Sequence, residues 1–472
     1  MSPLLKRHFF IAIAAAALLV GCSSGGESGT GAQASNQTTV GEVTGFGSVY
    51  VNGIKFSTYN TTFTVNGQPA TESDLAVGMI VKVVGGVYAT GTTGIATEIQ
   101  ATTQIKGLVA QNNVAADGVG DLVVWGQTIN INNDTQFDND VDISTIDQLT
   151  NSHTVEVSGY ADGQGAIYAT NVKVISNSGA AMEVQLVGKV TNLNTSALTF
   201  DIGSMSVSYT SANFSGMTAA QLQDGLWVEV EASNINSATP TEIIADEIEA
   251  VDLSEDTDTE MEVEGVVTDT SNITSNQFEL NGRIVKFDGA TQFEGGDQNT
   301  IQVDVKLEVD GSVQTDGSIL ADEISFREES DTELRGFVES VGSNTFVLLG
   351  QTIYVNELTR YEDGTGMNNK FHFNALIQGI RVEAKVYVDP DTGNLVATSI
   401  EKDENQGEIQ AEVEGIVDSV TTGVNTTLTL QGMSSLTINI DCCLPFTGGN
   451  GSEVEIRGNY NNLTLMATEL SY

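Results

Sequence analysis

Leu334–Glu362 reads LRGFVESVGSNTFVLLGQTIYVNELTRYE, and the way this stretch alternates decides the fold. It opens on a short apolar strand with Gly336 inside it. A hairpin follows: TFVLL, the turn pair Gly350 and Gln351, then TIYVN. Two-residue hairpin turns need positive φ at one or both central residues, which glycine supplies without steric cost. Alternation through Ile353, Tyr354 and Val355 turns one face of the strand inward. Thr359 and Tyr361 mark the end of the next strand.

Variants of this pattern recur six times, on Gly41, Gly107, Gly188, Gly265, Gly336 and Gly415. A spacing of roughly 70 to 80 residues means whole small domains in series, because solenoid repeats run to about 20–50 residues. The other hairpins turn at Asn52-Gly53, Gly126-Gln127, Gly203-Ser204 and Asn281-Gly282, and more loosely near Gly432. A Thr-x-aromatic mark follows at Thr135-Gln136-Phe137, Thr291-Gln292-Phe293 and Thr359-Arg360-Tyr361, with weaker forms at Phe63 and Phe214. The ring reads as a plug for one end of a small core. Each unit ends on an Ala-x-x-Ile-like strand, as from Ala397 to Ile400.

Five or six strands per unit, with no room for a real helix, predict an all-β chain of six tandem small β-barrels. An OB-like barrel fits best because closure removes exposed edges, and a flattened sandwich is the alternative. The expected β-domains span 39–102, 103–178, 181–252, 260–328, 332–402 and 410–472, preceded by a signal peptide over 1–21 and a tether over 22–38. Short polar joints at 176–180, 254–260 and 402–410 read as hinges, so the expectation is a row of beads whose neighbours touch at most.

The order G-x-V, hairpin, T-x-F, L-x-x-G-x-x-V-x-V and A-x-x-I resembles a bacterial family known as the domain of unknown function number 5666. The resemblance covers about residues 39–472, better in the first, third, fourth and fifth units than in the second and sixth. It implies tandem small β-domains on secreted proteins or lipoproteins. The family has no established activity, so no catalytic residue carries over.

The amino terminus predicts the compartment. Lys6 and Arg7 precede an apolar run from Phe9 to Val20, then Leu19-Val20-Gly21-Cys22. The run is too short to cross a bilayer comfortably and suits a signal peptide. The box resembles the bacterial lipoprotein signal, in which Cys22 would carry diacylglycerol and become the first mature residue, anchoring the chain in the membrane. Ser23 at the second mature position resembles outer-membrane sorting. A Ser/Gly-rich tether follows. Gly21 to Gly25 also satisfies the G-x-S-x-G pattern of hydrolases, but that motif needs a strand before it and a helix after it.

With Lys6 and Arg7 removed, 63 acids face 16 bases. Such a surface repels nucleic acid and anionic head groups and favours cations, basic partners or plain solubility. Outside the signal the histidines are His153 and His372, in different units and in loops that read as surface. Cys442 and Cys443 are adjacent, and an oxidising compartment favours pairing them across a turn, with two free thiols as the alternative. No cofactor is implied. Acidic loops at Asp138 to Asp140, Asp256 to Asp258 and Asp389 to Asn394 invite calcium, although the last lacks a bidentate glutamate and reads more simply as a hairpin turn. The expectation is a non-enzymatic, lipid-anchored outer-membrane protein that displays, binds or spaces, with an unknown protein or glycan partner. Lateral packing in an envelope structure is the alternative. A carboxylate hydrolase or glycan-binding protein stands behind both.

Overall fold

In a computed structural model the alternating stretches become short strands closed into small barrels. The structure describes residues 34–471 apart from 90, 116–117, 140–142, 180–181, 236–241, 252, 254, 331, 357, 364–370, 391 and 404–405. Cys22, the signal and most of the tether lie outside the described residues. Among the described residues, helix is confined to 3-10 turns such as Glu72–Asp74, and none is long and apolar enough to cross a membrane.

The stretch over 332–402 shows how closure works. Its opening strand, Thr332–Val341, pairs first with Arg381–Val388 and then, past a bulge at Val338 and Ser340, with Thr345–Leu348. Thr345–Leu348 pairs with Gln351–Tyr354, which runs parallel to Leu395–Lys402, and that strand returns to Arg381–Val388. The circuit closes with one parallel contact between its third and last strands, so the OB-like expectation holds over the sandwich. The Thr-x-aromatic mark is a further short strand, Arg360–Asp363, laid parallel on Leu395–Lys402. Tyr361 there packs against the core, as Phe137, Phe293, Phe63 and Phe214 do in their own stretches.

The hairpin explains the glycine that heads four of the units. Asn52 and Gly53 take φ of 48° and 78°, and Asn281 and Gly282 take 46° and 82°, the turn the Asn-Gly pairs predict. Two further hairpins differ from expectation by one residue. Val124 pairs with Gln127 and Leu348 with Gln351, so the turns are Trp125-Gly126 and Leu349-Gly350, with Trp125 at φ 50° and Leu349 at 49°. Positive φ strains a bulky residue, and packing offsets the cost. The first turn residue folds back over the opening-strand glycine: Asn52 over Gly41, Trp125 over Gly107, Asn281 over Gly265, Leu349 over Gly336. A Cβ on Gly107 would lie 1.4 Å from Trp125 Nε1, which donates to the Lys106 carbonyl at 2.9 Å. The displaced glutamines are buried and join neighbours. Gln127 Nε2 donates to the Ile202 carbonyl at 2.9 Å, and Gln351 Oε1 accepts from the Ser435 hydroxyl at 2.8 Å.

The barrels are not a row of beads. The hairpin covers only the far half of each opening strand, so the near half keeps one edge of unpaired backbone groups. Ser35–Gly45 uses that edge to run parallel to Glu260–Asp269, pairing Thr39 with Glu262 and Val40 with Val263. Ile105–Asn112 pairs antiparallel with Met182–Asn194, and Thr332–Val341 with Ala411–Thr421. Three continuous sheets result, of 13, 13 and 11 strands, and residues 34–472 form one compact unit. The core is continuous from Ile105 to Ile248 and again from Leu334 to Ala467.

Candidate functional site

Where the stretches 39–102, 105–176, 260–326 and 332–402 meet, charged side chains are buried together. Arg360 is the pivot, its side chain 7% exposed. Its Nη1 donates to Glu42 Oε2 and its Nη2 to Asp134 Oδ1, both at 2.8 Å. Lys306 Nζ lies 2.6 Å from Glu42 Oε1 and 3.1 Å from Glu264 Oε1. Tyr160 donates to Glu264 at 2.6 Å, and Arg327 pairs with Glu308. Asp134 also accepts from the Ser330 N–H at 2.9 Å and the Thr398 hydroxyl at 2.7 Å. Apart from Glu308 and Ser330, these groups line a polar cavity of about 230 Å³.

The hub is electrostatically settled. Burial pulls the Asp134 carboxyl up, but Arg360, the Ser330 N–H and the Thr398 hydroxyl outweigh it and hold it below the usual carboxylate range. Burial likewise works against the Glu264 charge, and Lys306 with Arg327 overcomes it. Acids and bases here neutralise one another across four stretches of chain. Such an arrangement is suited to fixing barrels in place rather than to exchanging protons with a substrate.

Other buried carboxyls behave in the opposite way. Glu262 pairs with Asp310 across two strands, and burial, reinforced by Glu308 and Asp310, pushes Glu262 well up. Asp310 is pushed to about 6 by burial with Glu260 beside it. Glu229 is pushed to about 7 by burial among Glu231, Glu249 and Glu247. A carboxyl raised in the folded chain keeps its proton where the unfolded chain has lost it, so stability falls with rising pH between the two pKa values. The melting temperature is therefore expected to fall from pH 5 to 7, and Glu229→Gln with Glu262→Gln to flatten the slope. Differential scanning calorimetry across that range checks both.

A second opening is larger, at about 680 Å³. It lies between the stretches 39–102, 105–176 and 332–402. Its walls carry Phe46, Phe137, Tyr361 and Phe371, with Asp138 and Glu362 among them. The Thr-x-aromatic strands place Phe137 and Tyr361, and therefore also Asp138 and Glu362, each one residue further on. Burial, followed by the charge of Asp138, pushes Glu362 up. This opening is the candidate binding site.

The residues singled out in the sequence fall elsewhere. Neither histidine is a plain surface residue. His153 is buried, its Nδ1 accepting from the Thr150 N–H at 2.9 Å. His372 donates from Nε2 to the Phe46 carbonyl, with its ring 4.4 Å from Tyr50 and 5.6 Å from Tyr361. It joins two barrels. Cys442 and Cys443 sit in the 3-10 turn after Thr437–Asn439 with their sulfurs 2.24 Å apart, and Cys443 packs partly against the core. In the Asp389 loop, Oδ1 accepts from the Thr392 N–H at 2.7 Å and its hydroxyl at 2.8 Å, as a hairpin turn would have it. Asp258 takes φ 65° in another turn, and the side chains of Asn139 and Asp140 lie outside the described residues. Among the described residues, no group of three or more His, Cys, Asp or Glu is placed to hold a metal ion.

The hub was missed in the sequence, although one signal was present. Thr359-Arg360-Tyr361 has arginine where Thr135-Gln136-Phe137 and Thr291-Gln292-Phe293 have glutamine. A cation on a strand that packs on a barrel marks a position with a buried acid to meet.

No curated protein matches the chain. The family described as a domain of unknown function, DUF5666, matches at residues 39–100, 106–173, 264–325 and 335–401, more than half of the chain. The matches fall as two adjacent pairs. They take in the second unit and leave out the third, which the residues alone rank the other way round. The unmatched stretch at 182–250 keeps the same strand order, and 411–471 keeps it without the short Thr-x-aromatic strand. With four matched copies of this closed β-circuit, the chain belongs to the DUF5666 family.

Proposed function

We propose that the protein is a lipid-anchored, non-enzymatic binding module of the outer membrane. Acyl chains on Cys22 would hold it, the tether would free it from the surface, and the fused barrels would present the opening between them to a partner. The observation that carries this reading is the division of labour among the charges. The hub acids and bases are committed to one another, whereas Asp138 and Glu362 face a wide aromatic-lined cleft. A block locked by buried ion pairs suits binding at a fixed site better than spacing by extension. The anchor is tested by fractionation. The wild-type chain is expected in the membrane fraction and Cys22→Ser in the soluble fraction, and a Cys22→Ser protein that stays in the membrane overturns the anchor.

A further inference from the structure

We propose that the cleft between the barrels of 39–102, 105–176 and 332–402 binds an organic cation, an ammonium or guanidinium group on an apolar body. The inference rests on the binding-module reading and names its ligand class. A volume of about 680 Å³ is that of a small-molecule site. Its walls supply the two features such a cation needs. Phe46, Phe137 and Tyr361 provide ring surface from three stretches of chain, backed by the buried Phe371, whose ring lies 6.5 Å from that of Tyr361 and is inclined to it at 66°. A cation held over such rings is attracted by their quadrupoles, more strongly as water is excluded.

The second feature is unspent negative charge. Asp138 and Glu362 come from different barrels, and burial, then the charge of Asp138, raises the cost of ionising Glu362. Neither carboxylate makes an ion pair or hydrogen bond among the described residues. Arg360 and Lys385 act on Glu362 only through space, since their hydrogen bonds go elsewhere, Arg360 to Glu42 and Asp134, Lys385 to the Asn133 carbonyl. A cation entering the cleft relieves the repulsion between the two carboxylates and gains the rings together. Anions are repelled, in keeping with 63 acids in the chain. A bare metal ion finds too few oxygens, since no carboxylate trio is assembled among the described residues. A neutral sugar could stack on the rings but would leave the carboxylate repulsion in place, so it is the rival.

The test is calorimetric titration of the full chain with phenethylammonium, with its neutral counterpart 2-phenylethanol, and with maltotriose. The amine is expected to bind saturably with Kd below about 1 mM, and the alcohol at least about tenfold more weakly. Glu362→Gln and Tyr361→Ala should each weaken the amine at least about fivefold, and Glu453→Gln, on an exposed strand end, should not. Melting curves of the three variants verify that the fold persists. Equal affinity for amine and alcohol, or no saturable amine binding at about 20 mM, overturns the proposal. Maltotriose binding that is lost in Tyr361→Ala, with no amine binding, also overturns it while leaving the binding-module reading intact.

Discussion

Arg360→Met is expected to destabilise the folded chain by about 3–5 kcal/mol, the cost of leaving buried charges without their partner. Two acids lose their guanidinium at once, Glu42 from one barrel and Asp134 from another. Methionine fills much of the space, so lost charge rather than a void dominates. The contrast is Arg457→Met, which removes an arginine paired with Glu412 but 42% exposed, and which should cost no more than about 1 kcal/mol. Adding Glu42→Gln to Arg360→Met should cost less than the two single changes together, because they share a partner. Urea denaturation of the four variants checks the set. Equal costs for Arg360→Met and Arg457→Met would mean that the hub holds nothing together.

Gly107→Ala is expected to cost about 3 kcal/mol or more, although it adds a single methyl group. That methyl would lie 1.4 Å from Trp125 Nε1 and 2.3 Å from two further ring atoms. The ring must leave its site, and losing the burial of a large aromatic costs about 3–5 kcal/mol. The Lys106 carbonyl loses its donor as well. Tryptophan emission should move to the red, since Trp125 is fully buried in the native chain. Trp125→Asn, which copies the Asn52 and Asn281 turns, should not rescue Gly107→Ala, because a carbon added to Gly41 or Gly265 would lie 1.8 Å from Asn52 or 2.3 Å from Asn281. Gly289→Ala, with nothing within 4 Å of the added carbon, should be close to neutral.

Much of this fold was legible because its rules are local. Hairpin turns announce themselves through Asn52-Gly53 and Asn281-Gly282, and strand faces through alternation within a few residues. The turn at Gly350 was displaced by one residue for an equally physical reason. Leu349 takes the strained conformation because its side chain covers Gly336, and Gln351 is thereby freed to enter the next strand and meet Ser435. Nothing local announces that contact.

The assembly was not legible. Every barrel offers a similar half-covered edge, and no residue near Val40 says that its neighbour will be Val263, more than two hundred positions away. Hub charges such as Glu42 and Lys306 look in the sequence like ordinary solvent-facing residues of an alternating strand. They become buried only because another barrel is laid over them. The cleft follows from the same event, since Phe137 and Tyr361 read separately as two plugs and acquire a shared space only when their barrels meet.

The central claim is that the barrels form one fused block rather than a flexible row, and small-angle X-ray scattering of residues 34–472 tests it most directly. A fused block of this length has a radius of gyration of roughly 22 Å. A value well above roughly 30 Å, with the scattering of a jointed chain, would contradict the shared sheets and the ionic hub together.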